Sequence, residues 1–437
     1  MADRRDKKMP DGRDKKTADV RISNSPDELL LAALERGDAS VTGRYLVTFK
    51  ENVGDEGLQA LQGQQLRVVN ARDFREQAIT LEDVGDADAV VFPEIGVALV
   101  GGEAFQERGM SLDAEIAADS PIESVDPEYF VFANANSGEY LRGFHRAAAT
   151  ITEDLGETKE YEEEMDEDAQ VLGATWGLVA CKVPPSLRSG TGIKVAVLDT
   201  GMDLGHPDFV GRTFVSQTFV GQPVQDLHSH GTHCIGTACG PKAPAGSTPR
   251  YGIGFKTTIF VGKVLSNSGS GTQAGVLAGM NWAIANRCAV ISMSLGSQQP
   301  PHPAYTAAGS SALSKGCLII AAAGNSASNT GAPANSPTIM SVASLDKTLS
   351  PSSFSNFGKI EIAAPGRDVF SSVPRPTRYG TKSGTSMATP HVAGCAALWA
   401  ESSATLRGSA LWKKLQATAK KLPFPVSKVG AGLVQAP

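Results

Sequence analysis

Three polar residues in separate glycine-rich settings, an aspartate, a histidine and a serine, are the groups of this chain best suited to acyl-transfer chemistry. Asp199 ends an apolar run, Ile193 to Leu198, and precedes Thr200 and Gly201, which sets a carboxylate at the rim of a sheet. Aspartic peptidases also use such an Asp-Thr-Gly loop, but they pair it with a second one. No other Asp-Thr-Gly or Asp-Ser-Gly occurs here, so only a dimer would supply the partner. His230 lies in HSHGTHCIGTACG, where Gly231, Gly236, Ala238 and Gly240 let a helix approach its neighbours closely. His228, His230 and His233 together raise the question of a metal site, yet no HExxH glutamate accompanies them, and His233 reads as a buried, hydrogen-bonded histidine. Ser386 stands in SGTSMATPHVAG, a tight turn into an apolar helix that continues through Cys395 to Trp399. A hydroxyl there has backbone N–H groups and the positive helix end directed at a developing oxyanion. The same position also suits Thr385 or Ser386 as a plain N-cap.

The elements that must carry these groups follow from the pattern after Gly173. KVAVLDTG, TTIFVGKVL, AVISMSLG, CLIIAAAGN and TIMSVAS are continuous apolar strands alternating with helices such as Gln273 to Ala285. That alternation predicts an α/β fold whose parallel sheet is flanked by helices on both faces. Upstream, from about Val41, a strand Tyr45 to Phe49, a helix-prone EGLQALQG, paired strands Ala89 to Phe92 and Gly96 to Val100, and a last strand Tyr129 to Phe132 describe a small α+β unit. The expected division is a flexible extension over 1–40 with a helical piece Pro26 to Leu34, the small unit over 41–135, a linker over 136–172 and the main domain over 173–437. Between Glu153 and Asp168 there are ten acidic residues against one lysine, a density that resists packing and leaves the linker open to a protease.

Composition narrows the partners. A chain of 437 residues, 41% hydrophobic and 20% charged, is globular rather than disordered. Its net charge of −6 shows no basic surface, which speaks against nucleic acid, and no apolar run reaches the roughly 18–20 residues of a membrane span. The opening MADRRDKKMPDGRDKK lacks the apolar stretch of an export signal, so the expectation is a cytoplasmic protein, or else one exported by a non-standard route. Six cysteines without paired CxxC spacing read as reduced thiols.

Taken together, DTG, HGTH and GTSMATPHVAG in this order resemble the subtilase family, over about residues 173–437. GKVLSNSGSG, NWAIAN, SMSLGS, AAAGN, AAPG and GAGLVQA extend the resemblance. It implies a subtilisin-like serine endopeptidase acting on protein or peptide substrates as a monomer. Ser386 attacks the carbonyl, His230 takes and returns the proton, and Asp199 orients the imidazolium. Asn325 matches the family's oxyanion donor, with the N–H of Ser386 as the second. Gly269, Ser270 and Gly271 match one substrate edge, Ser294, Leu295 and Gly296 the other, and Ala323 and Gly324 the wall of the main pocket. These small residues imply a broad preference for uncharged or hydrophobic side chains before the cut. Ala332-Pro333 matches a place where the family often has a cis peptide. Cys234 follows HGTH as in the proteinase K-like branch. No cofactor is needed for the chemistry. Asp208 matches one carboxylate of a calcium site, but APAGSTPRYGIG stands where many relatives have the asparagine-rich loop, so structural calcium lacks support and the metal content is open. An α/β-hydrolase esterase would need G-x-S-x-G, which is absent. A binding protein on a dead subtilase fold is disfavoured because Asp199, His230, Ser386 and Asn325 are all present.

The unit at 41–135 resembles the family's propeptide, with YLVTFK near its start and IESVDPEYFVFA at its end. That implies a ferredoxin-like inhibitory prodomain, a zymogen, and a self-inflicted cut somewhere between about 133 and 175.

Overall fold

The computed structural model describes residues 20–37, 40–51, 54–107, 120–133 and 173–437. Residues 1–19 and the acidic linker expected over 136–172 therefore lie outside the described residues.

The extension expected to be flexible instead carries a packed helix, α1 (Pro26–Arg36). Its start is written locally. Ser25 Oγ accepts from the Glu28 N–H while the Glu28 carboxylate accepts from the Ser25 N–H, and proline follows the cap. Such a box satisfies two orphan amides, and the cap alone contributes about 1 kcal/mol. Leu29, Leu30 and Ala33 then bury against Phe130 and Phe132, which is what removes the freedom expected of this segment.

The N-terminal unit follows as β1 (Val41–Phe49), α2 (Gly54–Gly63), β2 (Val68–Asn70), β3 (Ala89–Phe92), β4 (Val97–Val100), α3 (Gly102–Glu107) and β5 (Ile122–Phe132). Its sheet order β2-β3-β4-β1-β5 is a βαββαβ arrangement with β2 added parallel to β3. β5 begins seven residues earlier than the sequence pattern indicated, at Ile122 rather than Tyr129. Its polar first half, Glu123 to Asp126, pairs antiparallel with β1 although Pro127 interrupts it.

The main domain is a seven-stranded parallel sheet of β6 (Lys194–Asp199), β7 (Phe214–Thr218), β8 (Thr258–Lys263), β10 (Val290–Met293), β11 (Leu318–Ala322), β12 (Met340–Leu345) and β13 (Ile362–Pro365). The short β9 (Ser270–Thr272) stands apart from it, and β14 (Val369–Ser372) pairs with β15 (Tyr379–Lys382) as a ribbon. The sheet order is β13-β12-β11-β10-β6-β8-β7. Alternate residues of its strands enter two cores. Val195, Val197, Ile259 and Ile320 pack with α4 (His230–Cys239), α7 (Thr385–Ser402) and α8 (Gly408–Thr418). Ala196, Leu198, Phe260 and Ile319 pack with α5 (Gln273–Ala285) and α6 (Pro303–Ser314) on the other face. The second core continues into Leu46, Val90, Phe92 and Leu99, so the N-terminal sheet docks on α5 and α6.

A fully buried ion pair fixes this docking. Arg44 on β1 grips the Glu128 carboxylate through Nε at 2.7 Å and Nη2 at 3.1 Å. Glu128 also accepts from the Ala274 N–H at 2.8 Å, at the positive end of α5, and Arg44 reaches Thr272 Oγ1 and the Ile22 carbonyl.

Candidate active site

Asp199 closes β6, His230 opens α4 and Ser386 is the second residue of α7, so three elements deliver the three groups to one rim of the sheet. Close packing makes this delivery accurate. A β-carbon on Gly231 would meet the Gly201 carbonyl oxygen at 2.3 Å, so α4 touches the Asp-Thr-Gly loop only because that position is glycine. His230 Nδ1 and Asp199 Oδ1 are 2.7 Å apart and buried. Burial disfavours the imidazolium, but the adjacent carboxylate outweighs it and holds the His230 pKa well above the ordinary imidazole value.

Ser386 Oγ lies 3.3 Å from the Ala133 carbonyl oxygen and 3.2 Å from that of Ser294. Among the described residues His230 Nε2 has no hydrogen-bond partner, so the serine–histidine bond that the resemblance implies is not made in this state. The hydroxyl faces the Ser294 and Ala133 carbonyls instead.

The Ala133 carbonyl belongs to the residue after β5. Phe130, Val131 and Phe132 pair antiparallel with Thr272, Gly271 and Ser270, while Phe132 exchanges both backbone hydrogen bonds with Gly296 at 3.0 Å. Ala133 donates to the Gly269 carbonyl at 2.9 Å. The two edges nominated from the sequence thus enclose one extended strand. Ala133 enters a pocket lined by Leu295, Gly296, Ala323, Gly324 and Asn325, beside Ser386. Gly324 has φ 111°, and a β-carbon there would strike Asn356 Nδ2 at 2.3 Å, so the pocket wall requires glycine. Ser294 serves the site from behind: its hydroxyl donates to the Ser386 carbonyl at 2.7 Å and holds the first turn of α7.

Asn325 Oδ1 accepts from both the N–H and the hydroxyl of Thr385 at 2.8 and 2.9 Å. Its amide N–H₂ end is thereby left on the side of the cleft. Cys234 Sγ is 3.9 Å from His230 Nδ1, and burial raises its pKa, keeping the thiol protonated and un-nucleophilic. All six cysteines are buried and unbridged. His233 donates its Nε2–H to the Val369 carbonyl at 2.8 Å, and burial pushes its pKa down to about 3, as befits a neutral structural histidine. Ala332-Pro333 is cis. Asp208 offers no cation nest: its oxygens take the Tyr251 and Tyr379 hydroxyls at 2.6 and 3.0 Å and the Ala245 N–H.

Two supporting residues escaped the sequence reading. Asp226 accepts from the N–H groups of His228, Ser229 and Thr232, from the Thr232 hydroxyl and from Thr200 Oγ1. It therefore clamps the start of α4 to the loop after Asp199. Lys263, buried at the end of β8, donates to the Thr200 carbonyl, and burial lowers its pKa to about 8. The available signals were an aspartate four residues before His230 and a lone lysine closing an apolar strand.

Comparison with known proteins gives this arrangement its family. The model of the subtilase family matches residues 190–432. The chain is 37% identical over 266 residues to subtilisin Savinase of Lederbergia lenta, covering 60% of this chain and 96% of that one. It is 37% identical over 281 residues to the alkaline protease of Alkalihalobacillus alcalophilus, covering 62% and 72%. A cold-adapted subtilisin-like serine proteinase of solved structure matches with TM-score 0.51 and 34% identity over 60% of this chain and 97% of that chain. The chain belongs to the subtilase family. It is a serine endopeptidase, a hydrolase of protein or peptide substrates whose chemistry needs no cofactor. Kinship with alkaline protease and Savinase points to an extracellular protein and overturns the cytoplasmic expectation. That expectation rested on the make-up of the first residues, which does not decide the compartment.

Proposed function

We propose that Asp199, His230 and Ser386 are the catalytic triad of a self-processing zymogen whose residues 20–133 act as an inhibitory prodomain. Ser386 is the nucleophile, His230 the base and then the acid, and Asp199 the group that orients and stabilises the imidazolium. The Asn325 amide and the Ser386 N–H receive the oxyanion, a contribution worth roughly 10²–10³ in turnover for one such donor. Gly269 to Gly271 and Ser294 to Gly296 hold the substrate as an added strand, and Ala323 and Gly324 shape the pocket before the cut. The observation that carries the reading is the strand Phe130 to Ala133, laid between both edges with its last carbonyl 3.3 Å from Ser386 Oγ.

The bond so presented is Ala133–Asn134, with a small uncharged side chain before the cut. Intact-mass analysis of the purified full chain should therefore show a new N-terminus at Asn134, followed by trimming through the linker to about residue 173. A first cut inside the linker with the 133–134 bond intact would count against this assignment. Every residue of the site comes from one chain, so a monomer suffices.

Protonation sets the pace of that cut. His230 must be neutral to accept a proton, and the Asp199 carboxylate raises its pKa, so the neutral fraction grows with pH. The rate of self-processing should rise with pH through a limb above the ordinary imidazole value of about 6.5. A limb below that value, measured by the disappearance of full-length chain in stopped time courses, would contradict the Asp199–His230 coupling.

A further inference from the structure

Lys263 is a charged side chain with no exposed surface, at the end of β8, where strand register sets it beside Asp199 on β6. Its Nζ donates to the Thr200 carbonyl and, at 2.8 Å, to Asn267 Oδ1. The same Asn267 oxygen accepts from the Leu227 N–H at 3.3 Å. One ammonium therefore joins three segments: the loop after Asp199, the approach to the substrate edge, and the approach to His230.

Thr200 is the hub of this arrangement. Its N–H donates to Asp199 Oδ1 at 2.7 Å, and its hydroxyl donates to Asp226 Oδ1 at 3.0 Å while accepting from the Gly231 N–H at 2.8 Å. Two buried carboxylates thus flank one residue whose carbonyl is held by a buried cation. An ammonium so placed is costly unless negative groups face it. Burial lowers the Lys263 pKa to about 8, while Asp226, Asp199 and, from α1, Asp27 act to raise it, so the charge is present at neutral pH. The groups that face His230 are Asp199, Cys234 and His228, and Lys382 faces His228 and His233.

We propose that Lys263 is a positioning residue for the reaction: it holds the Thr200 loop and offsets the charge of Asp199 and Asp226, so that His230 can lose its proton at a lower pH. The role rests on the triad proposed above. Two carboxylates and one ammonium leave one net negative charge beside the imidazole, and without the ammonium there would be two. Each further negative charge favours the imidazolium, the form that cannot accept the Ser386 proton. Lys263 acts through Asp199 and Thr200 and touches no reacting atom.

The test is the pH profile of kcat/KM for enzyme matured from the full chain, cutting a quenched-fluorescent peptide with Phe-Val-Phe-Ala before the cut. Lys263→Met removes the charge at similar side-chain length, and its acid limb should move upwards by roughly half to one pH unit. Lys263→Arg keeps the charge, so its limb should stay with wild type even if the plateau falls. Lost packing alone lowers the plateau and leaves the limb where it was. Should neither Lys263 variant mature, Asn267→Asp decides: at this half-buried position it sets a carboxylate on the ammonium without opening space, and the limb should again move upwards. The role is overturned by a limb that does not rise in Lys263→Met, by one that rises as far in Lys263→Arg, or, where Asn267→Asp decides, by one that does not rise there. In each of those cases a fluorophosphonate still labels Ser386 in the wild type. If matured wild type is not labelled there, the triad falls and the role of Lys263 with it.

Discussion

Ser386→Ala is expected to leave the full chain uncut and to lower peptide hydrolysis by roughly 10⁵–10⁶, the scale reached when the nucleophile of such a triad is removed. The loss should be chemical rather than structural. The serine side chain does not cap α7, and among the described residues its hydroxyl meets the Ala133 and Ser294 carbonyls. The bond that fastens this turn, from Ser294 to the Ser386 carbonyl, uses the backbone and survives the change. Thermal unfolding should therefore stay within a few degrees of wild type while self-processing stops. Processing of the alanine variant at the wild-type rate, in a preparation free of other proteases, would refute the assignment.

Arg44→Met should break the seal between the N-terminal unit and the catalytic domain. The guanidinium and the Glu128 carboxylate are almost wholly removed from solvent, at 1% and 0% side-chain exposure. Deleting one partner of such a pair leaves an uncompensated buried charge, at about 3–5 kcal/mol. Glu128 would keep the Thr42 hydroxyl and the Ala274 N–H, which offset part of that cost. The expected result is a lag between cutting and full activity shortened by roughly 10²-fold, from about 3 kcal/mol lost at the seam. Since this variant also risks the fold of the unit itself, Asp27→Ala supplies a gentler measure. The Asp27 carboxylate accepts from the hydroxyls of Ser266, Ser268 and Ser270 at 2.9–3.1 Å, which pins α1 to the substrate edge. It too should shorten the lag, without slowing the cut. Lags identical to wild type in both variants would show that the seam does not govern release.

The catalytic sheet and its site were legible because buried parallel strands are continuous apolar runs and because close packing forces glycine into fixed places. Gln273 to Ala285 was readable to its ends, since strand and helix periods change sharply there. Gly231 and Gly324 fill positions where any β-carbon would collide, so the local motif and the tertiary contact are the same fact. What stayed hidden depends on partners far away in sequence. The polar half of β5 did not read as strand because its acidic residues and proline find their pairing only against β1. Helix α1 was legible as a helical piece from Pro26 to Leu34, but its role waited on Phe130 and Phe132, a hundred residues later. Asp226 resembled an ordinary loop aspartate until five donors converged on it. The serine–histidine contact is absent for a related reason: the hydroxyl at residue 386 faces carbonyls of residues 133 and 294, both far away in sequence.

The place of the sealing strand in the chain has a consequence for manufacture. Synthesis proceeds from the N-terminus, so the segment that plugs the cleft leaves the ribosome before Asp199, His230 or Ser386 has been made. Its concentration at the cleft is set by the tether and not by expression level, and each nascent molecule carries one plug for one cleft. Under the inhibitory role proposed above for residues 20–133, a cell making this protein would need no separately encoded inhibitor during translation.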